Sequence, residues 1–150
     1  MPTFVENRQA RFRHEITETI EAGLELLGHE VKAIKAGRAN LAGSYIIVRG
    51  GEAFLSGATI SPYQPANLPD GYDPARLRRV LLTKHEIATL ANIETKKGLT
   101  IIPLQMYSKG RSIKLKIGIA RGRKGHDKRE HIKRREVDRE IRRTLKNEVN

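Results

Sequence analysis

Positive charge is spread very unevenly along this 150-residue chain, which limits how much of the chain can pack into one core. Residues 109–150 contain 16 Lys and Arg against 6 Asp and Glu, whereas residues 1–108 contain 13 against 11. A nearly neutral body therefore precedes a strongly cationic end, which indicates a polyanionic partner. Nucleic acid is the first interpretation, a solubility tail the second and an anionic membrane surface the third. A membrane surface would require bulky apolar residues between the cations, and this segment has few.

The last thirty residues have too few large apolar side chains to pack onto a domain. Residues 121–125, Arg-Gly-Arg-Lys-Gly, predict a flexible basic hinge. Beyond it, Ile132 and Val137 are five positions apart and do not share one helix face. The pattern predicts two units, a folded domain over residues 1–120 and a basic tail over residues 121–150. We expect the tail to be disordered when free and helical on its partner.

Period-two alternation dominates the body and predicts strands. Residues 14–26 alternate His14, Ile16, Glu18, Ile20, Ala22, Leu24 and Leu26 with mostly polar residues, and Gly28 ends the strand. Two β-rich runs, 45–49 and 52–60, flank Gly50-Gly51 and predict a hairpin. Residues 99–107 and 113–119 predict two further strands, the second with a basic outer face. Pro103 indicates an edge strand or a bulge.

Helix signals are few and short. Residues 29–36 predict a short helix between two glycines. Thr83 and Glu86 form a capping box before a helix that contains Leu90, and Gly98 is its expected stop. Five prolines and glycines crowd residues 61–75, which predict a long surface loop. The expected fold is mainly β, an OB-fold-like antiparallel β-barrel with two or three short helices and the basic tail.

No constellation of residues predicts catalysis, so we expect a binding protein that is not an enzyme and has no cofactor or metal. The chain lacks cysteine and a phosphate-binding P-loop, and its histidines are scattered. Most of its seven aromatic residues are expected in the core or in loops, which favours recognition of folded RNA by shape and backbone. No apolar stretch is long enough to span a membrane and no signal peptide is evident, so a cytoplasmic location is expected.

An ordered set of short motifs makes the chain resemble the SsrA-binding protein family, the small protein B of bacterial trans-translation. The resemblance covers about residues 5–145, and no single motif is decisive. The motifs are Asn7-Arg-Gln-Ala-Arg11, Glu21-Ala-Gly23, Glu30-Val-Lys-Ala-Ile-Lys-Ala-Gly37, Ser44-Tyr45, Gly51-Glu-Ala-Phe54, Ile60-Ser-Pro-Tyr63, Lys97-Gly-Leu-Thr100, Ile117-Gly118 and 121–129, Arg-Gly-Arg-Lys-Gly-His-Asp-Lys-Arg.

The resemblance implies an OB-fold protein that binds the tRNA-like domain of transfer-messenger RNA. Such a protein brings that RNA to the stalled 70S ribosome on messages without a stop codon. Elongation factor Tu and alanyl-tRNA synthetase are implied as indirect partners. The tail is expected to occupy the vacant mRNA channel and the small-subunit decoding centre. We expect a monomer with no membrane partner.

The resemblance also assigns roles to particular residues. The implied RNA-binding residues are Asn7, Arg8, Arg11, Glu21, Lys32, Arg38, Asn40 and Leu90. The implied ribosome-binding residues of the tail are Arg121, Gly122, Arg123, Lys124, His126, Asp127, Lys128 and Arg129, with His126 stacked on a base of the decoding centre. The chain departs from the family at Phe12-Arg13 and at His14, where an aromatic residue is usual.

Several of these residues have a structural alternative. Glu21 repels phosphate, so it either accepts from a base or a 2′-hydroxyl, orients a neighbouring cation, or is simply an outward strand residue. Leu90 lies at a helix core position by its spacing, and Lys32 and Arg38 could be solvated charges. Two rival functions remain: a ribosomal protein with a basic tail, and a nuclease. The missing catalytic cluster counts against the nuclease.

Overall fold

The computed structural model describes residues 2–62 and 71–122. The predicted loop residues 63–70 and the predicted tail residues 123–150 lie outside the described part. The strands within it are β1 (Thr3–Glu6), β2 (His14–Leu24), β3 (Ala39–Asn40), β4 (Tyr45–Arg49), β5 (Glu52–Ser56), β6 (Thr59–Ile60), β7 (Arg78–Leu81), β8 (Leu99–Lys109) and β9 (Ser112–Gly122). The helices are α1 (Arg8–Arg13), α2 (Gly28–Lys35) and α3 (Lys84–Glu94).

Seven of these strands form one antiparallel sheet in the order β1-β8-β9-β2-β7-β5-β4, and β3 pairs with β6 in a second, two-stranded sheet. The fold is mainly β, as predicted. The predicted barrel is not closed by hydrogen bonds, because β1 and β4 end the sheet without pairing with each other among the described strands. The sheet nevertheless curls enough to bring β4 beside β8, and α3 contacts both strands.

The main core lies on the concave, inner face of the sheet. Leu115 and Ile117 of β9 are fully buried there, together with Ile34 of α2 and Leu90 of α3. The helices α2 and α3 therefore pack on the inner side. Because every second residue of a strand points to the other face, Lys114 and Lys116 of β9 point outward.

The short helix α1 covers one end of the outer face. Its Ala10 packs with Ile102 and Leu104 of β8, Ala120 of β9 and Ile16 of β2 in a second small core. Close packing here requires a glycine in β9. A Cβ placed on Gly118 would lie 3.0 Å from the Leu104 Cδ1 atom.

The alternation predicted for residues 14–26 is interrupted. The register of β2 against β9 shifts between Ile16 and Glu18, so a bulge moves the side chains on either side of it to opposite faces. Ile16 packs under α1 on the outer face, whereas Ile20 and Ala22 pack into the main core. The single face predicted for this strand was therefore wrong before the bulge.

The predicted local signals are confirmed at several points. The hairpin turns at Gly50-Gly51, where both φ angles are positive, and Thr83 and Glu86 exchange the two hydrogen bonds of a capping box. Pro103 adjoins a register shift in β8, so it marks a bulge and not an edge, because β8 lies between β1 and β9. Strand β9 runs through Gly122, two residues into the predicted tail.

A buried ion cluster joins α2 to β7. Glu30 and Arg78 are both fully buried, and the Arg78 Nη2 donates to the Glu30 Oε2 at 2.7 Å. The Tyr72 hydroxyl donates to the same oxygen at 3.0 Å, and Arg76 donates to both carboxylate oxygens. We call Glu30, Tyr72, Arg76 and Arg78 the buried cluster. It fixes the chain from Tyr72 to Arg78 onto the body of the domain.

Candidate nucleic-acid interface

The outer face of the sheet carries a polar, mainly cationic surface beyond α1. Three neighbouring strands contribute side chains to it, and three of the four charged groups are lysines. We call this surface the sheet-face patch; its residues are Glu21 of β2, Gln105, Tyr107 and Lys109 of β8, and Lys114 and Lys116 of β9. The lysines come from adjacent positions of a regular sheet, so the strand register holds their backbones at fixed spacings.

Glu21 is held by its own chain. The Tyr107 hydroxyl donates to one carboxylate oxygen and the Lys109 Nζ donates to the other at 3.0 Å. The hydrogen bonds from Tyr107 and Lys109 lower the pKa of Glu21, against a smaller desolvation effect, and Lys114 adds a favourable charge. Burial and the bond to Glu21 raise the pKa of Tyr107 to about 12. The geometry matches two of the three alternatives for Glu21, the orientation of a neighbouring cation and an outward strand residue.

The arginines of α1 extend the cationic surface along the same face. Arg8, Arg11 and Arg13 are exposed, and the Arg8 side chain is 92% exposed despite an Arg8 Nε to Glu6 Oε2 distance of 3.9 Å. Since α1 packs on the outer face, its arginines and the lysines of β9 lie on one side of the sheet. The structure thus places on the same side of the sheet two residues of one predicted motif, Arg8 and Arg11, and Glu21 of another.

The Asn7 side chain is mostly buried and is bonded to the chain's own backbone. It is only 6% exposed, and its Nδ2 donates to the backbone oxygens of Leu41 and Pro103 at 3.2 and 2.9 Å. Both of its amide protons therefore fix the start of α1, and the RNA contact implied for Asn7 stays a prediction. Asn40 is exposed, but its Oδ1 accepts from the Ala42 N–H at 2.8 Å and shapes the turn that follows.

Lys32 and Arg38 are exposed on a different part of the surface. They lie on α2 and just after it, and α2 packs its Ala33 and Ile34 into the main core. Arg38 also donates to the Pro62 oxygen at 3.2 Å. Arg38 directly precedes Ala39 of β3, which lines one concavity with Arg8 of α1.

Leu90 is fully buried in the core under α3, at the helix core position that its spacing predicted, and its implied part in RNA binding stays a prediction. The exposed leucine beside Glu21 is Leu81 of β7, which is 48% exposed. Leu81 pairs with Gly23, and a Cβ on Gly23 would lie 3.2 Å from the Leu81 Cβ, so the glycine makes room for it. Sequence patterning missed Leu81 because strand β7 was not predicted.

Arg121 and Gly122 end strand β9, opposite Glu15 and His14 of β2. The remaining predicted tail residues, Arg123, Lys124, His126, Asp127, Lys128 and Arg129, lie outside the described residues. Over residues 2–62 and 71–122 there is no group of three or more His, Cys, Asp or Glu residues that could hold a metal ion. No helix in that part of the chain is long and apolar enough to cross a membrane.

Comparison with known proteins places the chain in a family. The family described as "SmpB: SmpB protein" matches residues 4–147. The chain belongs to the SmpB protein family. SsrA-binding proteins of Microcystis aeruginosa and Gloeothece citriformis are 49% and 50% identical to it over 141 residues, or 94% of this chain and 92% and 91% of theirs.

A solved structure that resembles this SmpB family member points to the same family as its sequence relatives. The structure, described as "tmRNA-SmpB: a journey to the center of the bacterial ribosome", superposes with a TM-score of 0.69 at 40% identity. The match covers 85% of this chain and 93% of that one. At this identity and coverage, the chain shares its overall fold with that solved structure.

Proposed function

We propose that this chain binds the tRNA-like domain of transfer-messenger RNA and delivers it to ribosomes stalled on mRNA without a stop codon. The observation that carries the proposal is the common cationic surface formed by the α1 arginines and the sheet-face patch, in a member of the SmpB family. Exposed arginines and lysines on one face of a sheet suit a phosphate backbone. Relatives named SsrA-binding protein and the tmRNA-SmpB structure support the choice of RNA.

The two ends of the chain have separate tasks in this proposal. The body, on the OB-fold plan that the proximity of β4 and β8 supports, binds transfer-messenger RNA. Residues from 121 onward occupy the vacant mRNA channel and the decoding centre, where His126 stacks on a base of ribosomal RNA. Elongation factor Tu and alanyl-tRNA synthetase act on the same RNA, the protein works as a cytoplasmic monomer, and it catalyses no reaction.

Salt dependence tests the RNA surface. Each phosphate neutralised contributes about 0.7–0.9 to the slope of log K against log salt. Replacing Lys114 and Lys116 by alanine should lower the slope for transfer-messenger RNA by between one and two such contributions. The matched control is the double alanine variant of Lys96 and Lys97, two exposed lysines after α3 that lose the same charge away from the outer face. An equal decrease in the salt slope of both double variants would show that RNA binding depends on net charge alone and not on the outer face.

Truncation tests the division of labour. A chain that ends at Gly122 keeps all of β9. It should bind transfer-messenger RNA with near wild-type affinity and fail to support peptide tagging on stalled ribosomes. A truncated chain that still supports tagging contradicts the task given to the tail. Stoichiometric retention of the intact protein on all ribosomes after a high-salt wash would instead favour a ribosomal protein.

A further inference from the structure

A cleft beside α1 has features that the cationic surface alone does not explain. It has a volume of about 240 Å³, which is below the roughly 300–1,000 Å³ of pockets that enclose drug-sized ligands. Its walls are α1 on one side and the turn before β4 on the other. The lining residues used below are Asn7, Arg13, His14, Ser44 and Tyr45.

The wall that carries Tyr45 is held from several directions. The Leu41 oxygen accepts hydrogen bonds from the Ser44 N–H, the Ser44 hydroxyl and the Asn7 Nδ2. Gly57 packs against the same turn, where a Cβ would lie 3.4 Å from the Gly43 oxygen. Tyr45 follows this turn directly, so its backbone is fixed before any ligand arrives. The ring itself is 46% exposed.

The opposite wall supplies polar groups. Arg13 is exposed at the end of α1, and the ring of His14 bonds through Nδ1 to the Ala10 oxygen at 3.2 Å. That bond requires a proton on Nδ1, which leaves Nε2 of the neutral ring as an acceptor. Asn7 is more than nine-tenths buried at the cleft, and its Oδ1 has no hydrogen-bond partner within the described residues. Buried acceptors are normally satisfied, so an unmatched one indicates a missing donor.

We propose that this cleft holds one unstacked nucleobase of the bound RNA, with the base on the ring of Tyr45 and the adjoining phosphate on Arg13. A flat aromatic ring, a cation at the rim and unmatched acceptors are the groups that bind a single extruded nucleotide. Sequence analysis expected recognition by shape and backbone, and this subsite adds one base to that mode. The inference rests on the proposed RNA-binding function, and the base can come from transfer-messenger RNA or from ribosomal RNA.

Tyr45 variants test the stacking. Tyr45→Ala should weaken binding by about 5- to 150-fold with the salt slope unchanged, because one stacked base and no phosphate contact is lost. Tyr45→Phe should bind like the wild type. The control is Leu77→Ala, which removes an equally exposed apolar side chain elsewhere. Arg13→Gln should instead lower the salt slope by about one phosphate contribution. Each variant is measured with the tRNA-like domain and with stalled ribosomes.

The outcomes separate this proposal from the proposed function. If the wild-type chain binds one of the two RNAs and Tyr45→Ala binds it equally well, the cleft proposal is wrong and the proposed function stands. Equal weakening by Tyr45→Phe and Tyr45→Ala would also overturn stacking, since it would identify the hydroxyl as the contact. If the wild type binds neither RNA, both proposals fail. A photoreactive residue in Tyr45→p-benzoylphenylalanine should cross-link to one unpaired nucleotide, and cross-links only to paired segments contradict the cleft.

Discussion

The buried cluster around Glu30 and the sheet-face patch around Glu21 are built from the same kinds of group. In each, a tyrosine hydroxyl and basic side chains donate to one carboxylate. They differ in burial, since Glu30 and Arg78 are fully buried whereas the side chains of Glu21 and Lys109 are 38% and 54% exposed. In the buried cluster, loss of one partner leaves an uncompensated charge away from water. In the patch, water replaces a lost partner at little cost.

This difference separates the tasks of the two sites. The Glu30–Arg78 pair at the centre of the buried cluster is out of reach of RNA, and the cluster holds α2 and the chain around Tyr72 onto β7. The patch adds little to folding, but it arranges lysines on the surface where phosphates can reach them. The same carboxylate chemistry therefore serves stability in one place and recognition in the other.

The largest expected effect comes from breaking the buried cluster. Glu30→Gln keeps the side-chain volume and removes the charge that compensates Arg78, so it should lower the free energy of unfolding by about 3–5 kcal/mol. Urea unfolding followed by circular dichroism measures this. The same change at Glu21 is the matched control and should leave the urea midpoint unchanged. Similar shifts of the urea midpoint in Glu30→Gln and Glu21→Gln would refute the claim that only the buried cluster stabilises the fold.

Acid should weaken the buried cluster more than the sheet-face patch. Burial alone would raise the pKa of Glu30, but hydrogen bonds from Arg76, the Leu27 N–H and Arg78 lower it to about 2 from 4.5. The folded pKa is below the unfolded one, so this stabilisation is present above pH 4.5 and is lost as the pH falls to about 2. The shift corresponds to roughly 3 kcal/mol.

Urea midpoints measured between pH 5 and pH 2 test this dependence. The wild type should lose stability steeply below pH 4.5, and Glu30→Gln should show a flatter profile over the same window. Glu21→Gln should follow the wild type closely. A Glu30→Gln profile as steep as that of the wild type would mean that other carboxyl groups control acid unfolding.

The buried cluster also explains what sequence patterning could not predict. Strand β7 has the sequence Arg-Arg-Val-Leu, with Arg78 and Val80 inward and Arg79 and Leu81 outward. A buried arginine looks like a surface residue in sequence, because its partner Glu30 is 48 positions away. The period-two signal was therefore hidden, and strand β7 with its exposed Leu81 was missed.

Elsewhere, local chemistry was sufficient for prediction. The Gly-Gly hairpin and the capping box at Thr83 depend on neighbours within a few residues, and both were predicted. The bulge after Ile16 and the packing of α1 depend on strands β8 and β9, about a hundred residues later. The cationic residues of the site were predicted by type and family motif, but their grouping on the outer face required the sheet register.

A smaller effect should appear in RNA binding when Glu21 is changed. If Glu21 orients Lys109 and its neighbours, Glu21→Gln should weaken binding of transfer-messenger RNA by about five- to tenfold, the loss of about one ordered contact. If Glu21 only repels phosphate, the same variant should bind more tightly. Fluorescence anisotropy at fixed ionic strength distinguishes the two signs. The control is Glu25→Gln, which removes the same charge from an exposed side chain just after the end of β2.

The smallest change is spectroscopic and tests the hydrogen bond itself. The pKa of Tyr107 is raised to about 12 by burial and by Glu21, and burial followed by Glu30 raises that of Tyr72. In an ultraviolet titration near 295 nm, Glu21→Gln should lower the pKa of Tyr107 toward its ordinary value of 10 and leave the pKa of Tyr72 unchanged. A raised folded pKa stabilises below pH 10 and loses that contribution as the pH rises to about 12. The wild type should therefore lose stability as the pH rises from 10 to about 12, and Glu21→Gln should show a flatter stability profile over the same window. If Tyr107 kept its pKa after Glu21→Gln, burial alone would control it, and the patch would lack the coupling that makes it comparable with the buried cluster.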